Sequence, residues 1–190
     1  MHYILDNRVV FPLTIVLGLS STNILNYFGY LTGEEGIKYY AEVHQSKLNS
    51  YIHTIFMPGT IYGISCWVPA LFSIIFGNWF NEYHKLRLQK IVWLWYILHY
   101  ITFAPLVTFL TIILYAFPSY FAQEKIIILS EKDNYYLFMH GFIWMFMCLV
   151  IQEIFGHWLG GDNPSRIEGV PNAILYAGIY PCWHIINGIP

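Results

Sequence analysis

"HQSKLNSYIHTIFMPGTIYGISCWVPALFSIIF" occupies residues 44–76. Its reading decides the fold. Residues 51–76 contain no Asp, Glu, Lys or Arg. That run exceeds the roughly 20 residues a helix needs to cross a bilayer. Lipid offers the backbone no hydrogen-bond partners, so a segment inside it must satisfy itself as a helix. Two histidines, His44 and His53, and one amide, Asn49, stand at the mouth of this run. They are either interfacial side chains or ligands, and the rest of the chain decides between the two.

The whole composition agrees with a membrane setting. Of 190 residues 57% are hydrophobic and 11% charged. A soluble domain carries about 25% charge, and mean hydropathy here is +0.50. A net charge of −2 without a basic block argues against nucleic acid as a partner. Charged residues fall in islands at 34–47, 82–90, 124–133 and 162–168. Apolar stretches lie between them at about 9–28, 51–76, 91–117, 135–156 and 170–187. Arg8 and "VVFPLTIVLGL" resemble the start of a signal peptide, but no small-x-small cleavage site follows, so 9–28 reads as a retained membrane segment. The fold class expected is all-α, a polytopic transmembrane helical bundle forming one domain over residues 1–190. About 5–6 membrane segments are expected, with a broken or hairpin stretch at 91–129.

Prolines at 58, 69, 105 and 181 mark kinks or breaks. Asp133 or Asn134 is a helix cap, and "GGDNPS" (160–165) ends the helix that carries His157. Cys66, Cys148 and Cys182 sit in apolar runs with neither zinc nor disulfide spacing, and read as buried thiols.

Eight histidines punctuate the chain. His2, His84 and His184 read as interfacial or hydrogen-bonded groups, and His99 as half of an interhelical hydrogen bond. In "QEIFGHWLGGD" (152–162), Glu153 and His157 are one helical turn apart. That pair suits a bivalent metal and equally a plain Glu–His hydrogen bond. His44 and His53 point to opposite sides of one continuous helix. They converge only if the chain bends, and Asn49-Ser50 offers the bend, with Asn49 as cap or as holder of an imidazole. His140 precedes His157 by 17 residues, about 25 Å of straight helix, so the two cannot share one ion.

Topology adds a constraint. His53 begins its segment and His157 ends its own, so meeting requires an even number of passes between them. The stretch 91–129 must then pass twice or not at all, and Pro105 in its middle suggests a hairpin. A single straight helix over 91–117 would separate the two clusters. The HxxxH, HxxHH, HExxH, GxSxG and P-loop patterns are absent.

"YYAEVHQSKLNSYIHTIFMPG" resembles the H-x4-N-x3-H opening motif of the 2-hydroxy fatty acid dioxygenase family of the endoplasmic reticulum. These are small multi-spanning membrane proteins, many of which carry only an unknown-function label. "GHWLGGDNPSRIEGVPNAILYA" resembles that family's second, Gly-His motif. The resemblance covers roughly 39–187, leaving 9–28 as an extra N-terminal segment. Glu153 stands where the family has Gln, with Gln152 adjacent, and Asp162 lies one place beyond the family's acidic residue. The resemblance implies an Fe(II)-dependent dioxygenase that shortens 2-hydroxy fatty acids by one carbon, with O2 as co-substrate and membrane lipid as its surroundings. It implies His44, His53 and His157 as catalytic metal ligands with Glu153 as a fourth. Asn49 and Gln152 would support them, and Arg166 would meet the substrate carboxylate. Tyr39, Tyr40 and Trp158 would line the entrance or form an interfacial belt. The same ligands would serve zinc in a membrane hydrolase. A non-catalytic lipid scaffold or transporter is the third alternative, and bis-His haem binding the fourth.

Overall fold

A computed structural model describes residues 7–130, 133–163 and 170–188, and among them no strand occurs. The helices are α1 (Asn7–Tyr27), α2 (Gly33–Ala41), α3 (Lys47–Phe76), α4 (Glu82–Ile101) and α5 (Pro105–Ser130). After α6 (Asn134–Val150) a π-helical segment, Ile151–Gly156, leads without a break into α7 (His157–Gly160). Two short helices follow, α8 (Val170–Tyr176) and α9 (Tyr180–Asn187). Among the described residues, four helical stretches are long and apolar enough to cross a membrane: Val9–Tyr27, Lys47–Phe76, Pro105–Leu129 and Asn134–Gly160.

The stretch 91–129 is the hairpin that the site requires. α4 ends at Ile101, and Pro105 opens α5 because its fixed φ and missing N–H suit a first helical position. Gln89 Nε2 donates to the Ser119 carbonyl at 3.1 Å, so α4 and α5 run antiparallel. Trp93 Nε1 donates to Ser65 Oγ at 3.4 Å, which sets α4 against α3 in the same sense. α6 runs against α3, joined by the Tyr62–His140 and Thr60–Gln152 hydrogen bonds. α1 packs on α4 in parallel, with Ser21 Oγ 2.7 Å from His99 Nδ1 and Thr22 beside Thr102. The start of α3 and the end of α7 therefore share one end of the bundle.

Small residues set how closely α3 and α6 approach. A Cβ added at Gly63 would lie 2.4 Å from the Met145 nitrogen, and one at Gly141 2.5 Å from the Trp67 nitrogen. Backbone meets backbone at this seam, the way helices associate in lipid. Two apolar clusters fill the rest. One, at the end shared by α3 and α7, gathers Tyr40, Met57, Ile61, Tyr100, Tyr176 and Tyr180. The other gathers Cys66, Ala70, Ala122, Ile126 and Leu137 near the α5–α6 connection. All three cysteines are buried free thiols, as expected. Asp133 caps α6 by accepting from the Tyr135 nitrogen at 2.9 Å. Gly161, at φ +74°, ends α7 in the left-handed conformation that glycine adopts without strain.

The structure corrects four expectations. Residues 170–187 form two short helices rather than one long segment, because the chain turns at Ala177–Ile179 before Pro181 starts α9. α3 runs unbroken through Pro58 and Pro69. The charged island at 82–90, set apart from the apolar stretch that begins at 91, is the first half of α4; Asn81 caps it, and Lys85 is buried with its amino group on Asn134. The bend between His44 and His53 lies before Ser46, which is the N-cap residue of α3, and not at Asn49-Ser50. Asn49 is inside the first turn.

Candidate metal centre

Three histidines and one carboxylate meet at the end of the bundle shared by α3 and α7. His44 sits in the short connection between α2 and α3, where its nitrogen bonds the Ala41 carbonyl at 2.9 Å. His53 is two turns into α3, Glu153 lies in the π-helical segment, and His157 opens α7. One ligand atom from each lies within 4.8 Å of all the others. His44 Nε2 and His53 Nε2 are 3.2 Å apart, and His157 Nε2 is 3.5 Å from Glu153 Oε2. The three histidines are buried and Glu153 is partly exposed.

The outer nitrogens explain why the inner ones face one another. His44 Nδ1 lies 2.8 Å from the Tyr40 carbonyl, and His157 Nδ1 lies 2.8 Å from the Asn163 carbonyl. A carbonyl only accepts, so each Nδ1 carries a proton and each Nε2 is turned toward the centre. Such outer hydrogen bonds orient metal-ligating imidazoles. His157 Nε2 is buried and makes no hydrogen bond. Burial pushes the His44 imidazole down to about 4, against a smaller opposing effect of the Tyr40 carbonyl, so it is neutral at pH 7.

Distances test the fit to an ion. Two imidazole nitrogens each about 2.1 Å from one metal, at tetrahedral or octahedral angles, stand about 3.0–3.4 Å apart. The 3.2 Å between His44 and His53 falls in that window. The inward-facing Nε2 atoms of His44 and His157 and a nearby carboxylate make an electron-rich donor set. It fits a divalent cation.

Asp162 holds the two halves of the centre together. Its Oδ2 accepts from the Ser46 nitrogen at 3.0 Å and from Asn49 Nδ2 at 2.8 Å. The carboxylate thus meets the N-terminus of α3, where backbone N–H groups are unpaired and the helix dipole favours negative charge. Gly156 and Gly160 make room for this approach. A Cβ at Gly156 would lie 2.5 Å from Asn49 Oδ1, and one at Gly160 2.9 Å from Asn49 Cβ. The π-helical segment also matters, because one extra residue per turn changes which side chains face α3 beyond Val150.

Aromatic side chains brace the His44 connection. Tyr40 stacks on His44 with ring centroids 4.3 Å apart. Tyr180 of α9 donates to the His44 carbonyl at 3.0 Å and also lies 3.0 Å from Ser50 Oγ. Tyr40 is therefore buried packing rather than an entrance residue, whereas Trp158 is exposed.

The structure brings together His44, His53, Glu153 and His157. Asn49 holds Asp162 rather than an imidazole, because the carboxylate sits at the helix end and offers a charged acceptor. Gln152 is buried, and its Nε2 donates to Thr60 Oγ1 at 2.6 Å and to the Cys148 carbonyl at 3.0 Å. Arg166 lies outside the described residues. His140 is bonded to Tyr62 at 2.7 Å, and His99 to Ser21, both away from the centre. Sequence reasoning noted Asp162 without giving it a role, and it passed over Tyr180. Asp162 was visible as a carboxylate in turn chemistry five residues after His157, whereas nothing distinguishes Tyr180 from the other 15 tyrosines.

No family model, curated protein or solved structure matches this chain.

Proposed function

We propose that this protein is a membrane-embedded, non-haem Fe(II) dioxygenase that shortens 2-hydroxy fatty acids by one carbon. The observation that carries the metal assignment is the meeting of three imidazoles and one carboxylate within 4.8 Å, built from two segments, 44–53 and 153–157, that are 100 residues apart. Histidines with a carboxylate suit Fe(II) with open positions. Bound iron would supply those positions to the hydroxyl and carboxylate oxygens of a 2-hydroxy acid and to O2. The choice of a 2-hydroxy acid rests on the motif resemblance.

The chain's own residues perform the remaining tasks. His44, His53 and His157 would hold the ion as neutral ligands, with Glu153 offsetting its charge. The Tyr40 and Asn163 carbonyls keep the His44 and His157 lone pairs aimed inward. Tyr40 and Tyr180 close off the His44 side and keep water from it. Glu153, partly exposed, marks the open side. Arg166 is the proposed partner of the substrate carboxylate. The acyl chain would lie among apolar helices. In this reading α4, antiparallel to α3 and α5, is a fifth traverse, and the protein resides in the endoplasmic reticulum.

The test loads the purified chain anaerobically with Fe(II), then adds O2 and 2-hydroxypalmitate, with products read by mass spectrometry. The expected product is the acid one carbon shorter, and His53→Ala and His157→Ala each lose both iron and turnover. Retention of iron by both variants would sink the ligand assignment. Firm iron binding without chain shortening, across several 2-hydroxy acids, would leave the centre and remove the reaction. Selective retention of zinc, with hydrolysis of an ester lipid, would replace the dioxygenase with a hydrolase.

A further inference from the structure

His44 differs from the other three clustered residues in what carries it. His53 stands on α3, and Glu153 and His157 on the continuous stretch from α6 to α7. His44 stands on residues 42–46, the short connection between α2 and α3. An imidazole on a loop costs ordering entropy when it closes on an ion, unless the fold has already fixed it. The local holds on His44 all come from α2. Its nitrogen donates to the Ala41 carbonyl, its Nδ1 meets the Tyr40 carbonyl, and its ring stacks on Tyr40. They set the imidazole relative to α2, not relative to His53 or His157.

The His44 carbonyl is held from other elements. Tyr180, the first residue of α9, donates its hydroxyl proton to it at 3.0 Å, and Ser50 of α3 donates at 3.2 Å. The two hydroxyl oxygens stand 3.0 Å apart. His44, Ser50 and Tyr180 are all fully buried, so water cannot replace a lost donor. One carbonyl thereby ties the connection both to α3, which carries His53, and to α9.

The Tyr180 ring has little freedom. It packs edge-on against Tyr40 at 5.2 Å, lies 5.2 Å from the His44 ring and stacks on Trp183 at 6.3 Å. A side chain locked by packing aims its O–H in one direction. The chain before α9 is anchored in turn. The Tyr96 and Tyr100 hydroxyls of α4 donate to the Ile174 and Leu175 carbonyls of α8 at 2.9 and 2.6 Å.

We infer that Tyr180 is a positioning residue of the metal centre. Its hydroxyl, with that of Ser50, fixes the His44 carbonyl and so presets the reach of the His44 imidazole toward His53 and His157. This role rests on the metal centre proposed above and is independent of the reaction assigned to it.

The test compares the full chain in detergent with Tyr180→Phe, which removes one oxygen and keeps the ring. The probe is Co(II), titrated against a calibrated chelator, and the visible absorption of bound Co(II) reports the arrangement of its donors. Tyr180→Phe should bind Co(II) about tenfold more weakly, the lower end of the loss when a group that orients a ligand is removed. Its absorption band at saturating Co(II) should change in position or intensity. Tyr62→Phe also loses a tyrosine hydroxyl bond, 2.7 Å to His140 and away from the centre, and should keep wild-type affinity and spectrum. Ser50→Ala, which leaves Tyr180 on the carbonyl, should weaken Co(II) by less than tenfold. Ser50→Ala combined with Tyr180→Phe should cost more than the two single losses multiplied, because the buried carbonyl then has no donor. Wild-type affinity and spectrum in a folded Tyr180→Phe variant would overturn the role. So would an equal loss in Tyr62→Phe, a weaker affinity with an unchanged spectrum, or a double loss no larger than the product. If Tyr180→Phe does not fold, Ser50→Ala decides, and wild-type affinity and spectrum there would overturn the role. A wild-type chain that binds no Co(II) removes the centre itself, and the role of Tyr180 with it.

Discussion

Asp162→Ala removes the side chain that ties the end of α7 to the start of α3. Wild-type Asp162 takes the Ser46 N–H at 3.0 Å and the Asn49 amide at 2.8 Å, both as charge-assisted bonds. Such a bond contributes about 1.5–3 kcal/mol when buried. Asp162 is half-buried, so the lower end applies. Ser46 is close enough to solvent for water to replace part of its loss. Asn49 is fully buried and its Oδ1 already lacks a hydrogen bond, so its Nδ2 would be orphaned as well, at about 1–3 kcal/mol. The sum is a destabilisation of about 2–4 kcal/mol. The same change frees the chain between His44 and Lys47 from the end of α7. Loss of a group that orients a ligand typically costs about 10–100-fold in metal affinity. The assay is competition with a calibrated chelator, followed by thermal melting in detergent with and without metal. Asp162→Asn, which keeps one acceptor, should fall between wild type and Asp162→Ala in both readouts. Wild-type metal affinity in a folded Asp162→Ala variant would refute the tie between the α3 N-terminus and the geometry of the centre.

Gly156→Ala should destabilise the protein by about 1–3 kcal/mol and weaken metal binding, because its Cβ would stand 2.5 Å from Asn49 Oδ1 and push α3 away; melting and chelator competition read both. Gly178→Ala is the contrast, with its nearest contact at an ordinary 3.5 Å and no change expected in metal affinity. Glu153→Gln should keep the fold and lower metal affinity by less than His53→Ala, since the amide still offers a neutral oxygen; equal losses in a chelator titration would make the carboxylate indispensable. Ser21→Ala strips the partner from buried His99 Nδ1 and should cost about 1–3 kcal/mol in melting while leaving metal content unchanged.

The parts of this fold legible in the sequence are those governed by length and by breaks. Uncharged runs gave the long helices, and the requirement that His53 and His157 meet gave the hairpin, whose turn Pro105 marks. The four clustered residues were legible for the same reason, since each is a polar group at the margin of an apolar run. What escaped was set by distant partners. The start of α3 is at Lys47 because Asp162, 116 residues away, meets the Ser46 nitrogen. No local pattern reports that, and "LNS" reads as the better cap from neighbours alone. The π-helical segment has no compositional mark either, because Ile151, Gln152 and Glu153 are as compatible with a regular helix. α4 misled in the opposite direction. Its charged first half stood apart as an island between apolar runs, yet Lys85 and Gln89 turn inward to Asn134 and the Ser119 carbonyl, satisfying polar groups that lipid would leave bare.

The position of the centre follows from these same costs. A cluster of bare imidazole nitrogens in mid-bilayer would require buried acceptors for every outer N–H, and unbroken helices have no spare carbonyls to offer. At the bundle end, spare carbonyls exist where the helices stop. Tyr40 lies at the last turn of α2, and Asn163 lies just past the left-handed Gly161 that ends α7. The end of α2 leaves the Tyr40 carbonyl without a helical partner, and the Asn163 carbonyl lies beyond the end of α7. The helix termini therefore do two things at once: they end the apolar segments, and they supply the acceptors that fix the tautomers of His44 and His157. Moving His157 one turn deeper along its helix would bury the same imidazole with no carbonyl to orient it.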